Sequence, residues 1–286
     1  MNYLDLFDLE EKIQIMDVGA AAISEIPVYK KLMDIGIGKL NAFEGDQRHS
    51  TKLKEEYGDN IILFTDFLFD GTIQNLYLAK PNTGMTSLLK PKENTNNFFN
   101  GFDRFSKIEK VDKVNTKKLN DIDDLPLIDF VKMDIQGSEL TVLKNGLDKL
   151  KNCLAVQIEV SYICLYENQP SFGEVDIWMR SKGFVPHCFL DIKRWSIKPT
   201  IFNNNFRTPG NQLLESDIVY IKDPLQLNQL SDEQIKKFIL ISHYCFMSID
   251  LTAFLIIELE KRKTLSKDSF KNYIDNIKKF INESPK

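Results

Sequence analysis

Short, nearly unbroken apolar runs alternate with amphipathic stretches from Ile13 to Pro224. This alternation predicts an α/β chain with a mainly parallel sheet, because strands covered by helices on both faces lose the apolar/polar alternation of a half-exposed strand. The runs predict strands at 13–18, 39–43, 61–65, 128–133, 154–159, 184–190 and 218–221. Helices are expected at 26–34 and 47–57, between the first three strands. The segment 73–89 reads as an inserted hairpin with Pro81-Asn-Thr-Gly84 as its turn. Two polar stretches, 91–103 and 198–212, read as long loops of the kind that serve as lids or mobile segments.

After Pro224 the period becomes helical. Ser231-x-x-Gln234 is a capping box, followed by Ile235, Phe238, Ile239 and Ser242 on one stripe. A later stripe carries Phe270, Tyr273, Ile274, Ile277, Phe280 and Ile281. The chain therefore divides into an N-terminal segment (1–12), an α/β domain (13–224) and a helical subdomain (225–286). The tail's stripes need a partner: their own neighbours, the α/β domain, or a second copy in a homodimer.

At 286 residues the chain suits one large domain, or one domain with an appendage, and its 43% hydrophobic content excludes wholesale disorder. With 37 basic and 41 acidic residues the net charge is −4, which lacks the basic excess of a general nucleic-acid binder. Cys153, Cys164, Cys188 and Cys245 are widely spaced, form no C-x-x-C and sit in apolar surroundings, as reduced thiols of a cytoplasmic protein would. The acidic start, Met1-Asn-Tyr-Leu-Asp-Leu-Phe-Asp, is unlike a signal peptide, and the apolar run 251–257 is too short to span a bilayer.

In an open parallel sheet, ligands sit beyond the carboxyl ends of the strands, so the strand ends carry the candidate chemistry. The first ends in Asp17-Val-Gly19-Ala20-Ala-Ala, where Gly19 and small residues admit a close backbone approach by an adenosyl ligand. The second ends in Phe43-Glu44, and a carboxylate there accepts hydrogen bonds from both ribose hydroxyls. Either acid alone is equally well explained as a turn cap; together, at successive strand ends, they favour a ligand. The later glycines of a dinucleotide fingerprint are missing, which disfavours a nicotinamide oxidoreductase. Asp134 ends a central strand without a structural reason to be acidic, whereas Glu139 also suits a helix start and Glu159 a salt bridge.

The run Asp129-Phe-Val-Lys132-Met-Asp134-Ile-Gln136-Gly137-Ser-Glu139-Leu-Thr-Val-Leu143-Lys-Asn-Gly146 resembles the FkbM-type family of S-adenosylmethionine-dependent methyltransferases. The family pattern is D-x-x-K-x-D-x-E-G-x-E, then a leucine-containing helix and a glycine. Asp17-Val-Gly-Ala20 resembles its first cofactor motif and Phe43-Glu44 its second-strand acid. Weaker echoes run to Asp223 in the family's order, including Gln157-Ile-Glu159 and Ser216-Asp217. Three departures stand out: Ala21-Ala22-Ile23 replaces an asparagine and a later glycine, Gly45 follows Glu44 in place of proline, and Gln136 replaces a common glutamate.

The resemblance implies a Rossmann-like class I methyltransferase fold, a mostly parallel seven-stranded sheet with helices on both faces, here with a C-terminal helical extension. It implies methyl transfer from S-adenosylmethionine to a small-molecule or carbohydrate hydroxyl, such as that of a sugar or nucleotide-linked sugar. Asp17, Gly19, Ala20, Glu44 and Asp66 form the expected cofactor-binding set. Asp134 is the expected base, with Glu159 and His187 as further catalytic candidates, although a lone histidine beside Pro186 and Cys188 equally suits simple packing. Asp134, Glu139 and Glu159 would be the ligands if a magnesium or manganese ion takes part. Arg194, Trp195 and Arg207 are expected at the acceptor, the arginines on phosphate and the tryptophan stacked on a ring or merely anchoring its loop. A competing reading, which the altered loop at 21–23 keeps open, is a catalytically silent protein of this fold whose tail mediates assembly.

Overall fold

The first apolar run becomes the middle of the sheet. In the computed structural model, which describes residues 7–20, 26–45, 47–80 and 83–283, β1 (Ile13–Val18) is flanked by β2 (Gly38–Phe43) and β7 (Phe130–Met133). The full order is β3-β2-β1-β7-β8-β10-β9, with β3 (Ile61–Phe64), β8 (Ala155–Ser161), β9 (Phe184–Trp195) and β10 (Gln212–Lys222). All neighbours pair in parallel except β10, which runs antiparallel to both β8 and β9. This is the mostly parallel seven-stranded sheet of the class I methyltransferase fold. The chain builds outward from β1 to β3 and then returns to β7 on the other side of β1, so the strand order reverses between β1 and β7. A crevice opens at the carboxyl ends of the strands at such a reversal.

Two-sided burial explains the unbroken apolar runs. Ile13, Ile15, Leu40, Phe130 and Ala155 face one core shared with α1 (Lys30–Asp34), α2 (Gln47–Tyr57) and the C-terminal helices. Met16, Val18, Val131, Met133 and Ile158 face a second core. Helices α5 (Glu139–Lys144) and α6 (Phe172–Ser181) close it with Leu140, Leu143, Val175 and Met179.

The insertion between β3 and β7 differs from the expected hairpin. It holds β4 (Phe67–Leu68), β5 (Ile73–Ala79), α3 (Glu93–Phe98), α4 (Phe102–Phe105) and β6 (Ile108–Lys117). β5 pairs with the distant β6, and Tyr77 with Ser87 is the bridge on the expected side. Pro81 and Asn82 of the expected turn lie outside the described residues. The alternating, charge-rich run of β6 hid it: a strand exposed on one face reads like a polar helix or loop. The expected loop at 91–103 contains α3 and α4, and the expected helix at 26–34 is only α1. Residues 193–195, expected in a loop, belong to β9.

α7 (Asp232–Phe246), α8 (Ile249–Lys261) and α9 (Ser269–Glu283) follow. The capping box forms as expected, Ser231 and Gln234 bonding each other's backbone N–H. Ile235, Phe238 and Ile239 of α7 belong to the same core as β1, so the tail's stripes find a partner on the α/β domain itself. A buried ion pair reinforces the contact: Lys237 Nζ lies 2.8 Å from Asp129 Oδ2, which also accepts the Gln14 N–H at 2.8 Å. Arg262 at the end of α8 donates to the carbonyls of Leu227 and Leu230 and to Asp232. The side chains of Phe280 and Ile281 lie outside the described residues. Among the described residues, no helix is long and apolar enough to cross a membrane, and all four cysteines are free thiols.

Candidate active site

The carboxyl ends of the central strands are stitched together. Asp134 N donates to Val18 O at 3.1 Å, Gly19 N to Phe43 O at 3.1 Å, and Glu44 N to Phe64 O at 3.0 Å. Gly19 is required at its position for two reasons. Its φ is +82°, and a Cβ there would stand 2.2 Å from the Asp134 carbonyl oxygen. The loop after β1 thus lies directly on the turn after β7. Glu44 is buried next to it at the end of β2. Ala20 is buried at the start of the loop, whose altered residues Ala21, Ala22 and Ile23 lie outside the described residues.

Asp17 faces inward. Tyr29 OH donates to its Oδ2 at 2.6 Å and Lys132 Nζ stands 3.3 Å from its Oδ1. Burial, and then Asp17, hold the Tyr29 hydroxyl protonated well above its ordinary range. Burial opposes the charge of Lys132, but Asp17 and Asp134 together hold its ammonium above its ordinary value. Asp17 therefore braces the end of β1, at the base of the loop that follows it. Asp66, beyond β3, pairs with Lys117 of β6 at 2.9 Å.

The turn after β7 is the most constrained piece of the site. Gln136 has φ +57° and Gly137 φ +99°. The Glu139 carboxylate accepts the N–H groups of Ile135 at 2.9 Å and Gly137 at 3.2 Å, fixing the turn from below. Burial pushes its carboxyl up to about 7 in spite of those bonds. Gln136 occupies the middle of the network: its Nε2 donates to Asp134 Oδ1 at 2.9 Å and to Glu159 Oε2 at 3.2 Å. Tyr166 OH donates to its Oε1 and Ser87 Oγ to its carbonyl, both at 2.8 Å. Asp134 itself is exposed at the end of β7 and oriented by that amide.

Further acids approach from β8 and β10. Lys193 Nζ lies 3.2 Å from Glu159 and 2.9 Å from Glu215. Burial, then Asp134 and Glu215, hold the Glu159 carboxyl well above its ordinary range, and Glu215 is raised by burial too. Asp217, paired in register with Glu159, is raised by burial and by Asp134, and accepts from Gln157 Nε2 at 3.3 Å. Sequence reasoning did not single out Glu215, Lys193 or Gln157 as site residues. The signal was present: Glu215 and Asp217 stand two apart, the spacing of one strand face, just before the run Ile218-Val-Tyr-Ile221 of β10.

Several expectations are corrected. Among the described residues, no group of three or more His, Cys, Asp or Glu side chains is placed to hold a metal ion. Of the expected trio, Glu139 is turned to backbone N–H groups, while Glu159 and Asp134 are bridged by an amide. The donor set does not fit a divalent cation. His187 is on β9, bonded to Ser248 Oγ at 2.9 Å at the junction of α7 and α8, and burial lowers its pKa. It packs against the tail instead of joining Asp134. Trp195 anchors the insertion, donating to Asn100 O at 2.7 Å and meeting Phe102 edge-on at 5.3 Å. Arg207 lies over the rings of Phe105 and Phe206, at 5.6 and 5.8 Å. Arg194 is exposed on β9.

The model of the methyltransferase FkbM domain matches residues 17–186, from the end of β1 into β9. No curated protein matches significantly. Among solved structures, magnesium protoporphyrin IX methyltransferase from Synechocystis PCC 6803, with bound S-adenosylmethionine, is 9% identical at a TM-score of 0.38, covering 74% of this chain and 71% of that one. Precorrin-6y C5,15-methyltransferase from Geobacter metallireducens is 12% identical at a TM-score of 0.36, covering 77% and 85%. An uncharacterized protein from Listeria monocytogenes serotype 4b is 10% identical at a TM-score of 0.37, covering 96% of each chain.

Proposed function

The chain belongs to the methyltransferase FkbM domain family, and from that premise we propose that it is an O-methyltransferase acting on a hydroxyl of a sugar. S-adenosylmethionine supplies the electrophilic methyl group when bound. Two residues suit it: Gly19, at φ +82°, lets the loop after β1 close onto the turn after β7, and Glu44 ends β2 with a carboxylate suited to ribose hydroxyls. The missing glycines of a pyrophosphate loop do no harm to a ligand that carries no phosphate.

The observation that carries the reading is Asp134, exposed at the strand-order reversal against the loop of Gly19 and aimed by the Gln136 amide. A sugar hydroxyl is a weak acid, so attack on the methyl carbon needs its proton removed as the new C–O bond forms and the old C–S bond breaks. Asp134 takes that proton. Gln136, Tyr166 and Ser87 fix the carboxylate's orientation, so the acceptor oxygen meets a base already in position. Arg194, exposed on β9, is available to the acceptor's outer parts.

Two measurements test the proposal. Calorimetric titration with S-adenosylhomocysteine should show binding that Glu44→Ala weakens by roughly 10- to 100-fold, the worth of hydrogen bonds to a charged group. Transfer of labelled methyl groups to a sugar panel should fall by about 100-fold or more in Asp134→Asn while S-adenosylhomocysteine still binds. Full activity in Asp134→Asn excludes Asp134 as the base.

A further inference from the structure

The sheet has a second opening, at the end opposite the candidate active site. β8 begins at Ala155, and β10 ends at Lys222, paired with Phe184 at the start of β9. This corner lies a strand's length, roughly 20 Å, from the strand ends that carry Asp134 and Glu159. There the ends of α5 and α6 leave a cleft of about 120 Å³. Its floor is apolar: Leu150, Val156, Met179 and Phe184, together with the Cys153 thiol, which burial keeps protonated by pushing it up to about 12. Trp178 forms one wall. The charged residues that face the cleft are all cationic, Lys151, Lys182 and Lys222, with no acid among them.

Lys222 is the one least open to solvent. It is half-buried, whereas Lys151 and Lys182 are exposed at the mouth. Its ammonium stands 4.1 Å from the centre of the Phe184 ring and spends one N–H on the Lys182 carbonyl, 3.2 Å away at the end of α6. Its other two N–H groups have no partner among the described residues. No ion pair among those residues engages any of the three lysines. Asp223, the next residue, is turned instead to the Leu225 N–H and the Gln226 amide. Burial lowers the pKa of Lys222, and no carboxylate opposes it.

We propose that this cleft binds a small aromatic carboxylate, its ring on the apolar floor beside Trp178 and its carboxylate among the three ammonium groups. An apolar cavity of about 150 Å³ takes up benzene, so a cleft of this size holds a single ring. A partly desolvated ammonium with unspent donors gains most from an anion, through charge-assisted hydrogen bonds. A neutral aromatic would cover the floor and leave that charge unanswered; a small anion without a ring would do the reverse. The site is separate from the strand-end crevice, and the inference does not depend on the O-methyltransferase reading.

The test is calorimetric titration of the full chain with sodium benzoate, benzamide and sodium acetate. Benzoate should bind saturably in the roughly millimolar range expected of so small a ligand. Benzamide and acetate should each bind roughly 10-fold more weakly or worse, for want of the charge or of the ring. Benzoate should also change the tryptophan fluorescence, and Trp178→Phe should abolish that change while Trp195→Phe keeps it. Lys222→Met should weaken benzoate by roughly 10-fold while the circular dichroism spectrum and S-adenosylhomocysteine affinity stay as in wild type. If Lys222→Met does not fold, the exposed Lys182→Met, expected to weaken benzoate several-fold, takes its place. Absence of saturable benzoate binding, benzamide equal to benzoate, or benzoate affinity unchanged in the folded lysine variants overturns the inference.

Discussion

Gly19→Ala tests whether the loop after β1 and the turn after β7 form one unit. At φ +82° an alanine pays about 1–2 kcal/mol for the left-handed backbone alone. Its Cβ would also meet the Asp134 carbonyl oxygen at 2.2 Å, where real contacts stay above 3.0 Å, so the two backbones must part by at least 0.8 Å. No flexible side chain can absorb that shift, because the atom struck is main chain. The strain should lower Tm by roughly 2–8 °C, at about 2–4 °C per kcal/mol for a chain of this size class. The displacement matters more for chemistry, since a misplacement of about 1 Å at reacting groups can cost 100-fold in rate. The expected result is a folded protein with a modestly lower Tm, weakened S-adenosylhomocysteine binding by calorimetry and methyl transfer down about 100-fold. Wild-type Tm, affinity and transfer in Gly19→Ala would refute the claim that this contact sets the site.

The ion pair joining the tail to the sheet gives a second prediction. Lys237→Met leaves the Asp129 carboxylate buried without its cation and should cost about 3–5 kcal/mol by urea denaturation, while adding Asp129→Asn should recover much of the loss. Glu139 gives a pH dependence. Its carboxyl sits at about 7 in the folded protein against 4.5 when solvated. Between those values the native state holds a proton that the unfolded chain has released, so stability falls as pH rises through the window, by about 3 kcal/mol in full. Glu139→Gln keeps an oxygen for the Ile135 and Gly137 N–H groups and removes the titration, so its stability relative to wild type should improve between pH 5 and pH 8. An unchanged difference in urea midpoint would count against the burial argument.

The parallel sheet was legible because burial on both faces writes a strand as a bare apolar run: β1, β2, β7 and β8 appear within a few residues of their expected places. β6 and the first half of β10 were not, because each shows one face to solvent or to a polar site, and Glu215 or Asp217 in sequence looks like any surface acid. For the candidate site, the places of Gly19, Glu44 and Asp134 at strand ends could be read from the sequence, whereas what requires the glycine, the Asp134 carbonyl packed against it, is a contact distant in the chain. His187 and Trp195 could not be separated from packing residues, since what distinguishes them is a partner distant in sequence: Ser248 for one, Asn100 and Phe102 for the other.

Gln136 illustrates how one substitution changes the meaning of its neighbours. Two carboxylates two residues apart in a turn, with a third from the next strand, would repel one another or gather a cation. An amide at that position instead offers two N–H groups, and the structure spends one on Asp134 and one on Glu159. The remaining oxygen accepts from Tyr166, so the amide's orientation is fixed by its bonds and cannot flip without losing three of them. The backbone tolerates a left-handed glutamine here because Ser87 and the Glu139 carboxylate hold the turn on either side. Asp134 is thereby oriented by a neutral group, and its exposed oxygen stays available to an acceptor proton. A carboxylate bound to a divalent cation or locked in an ion pair would be a weaker base, so the amide suits the proton transfer proposed for Asp134 better than either.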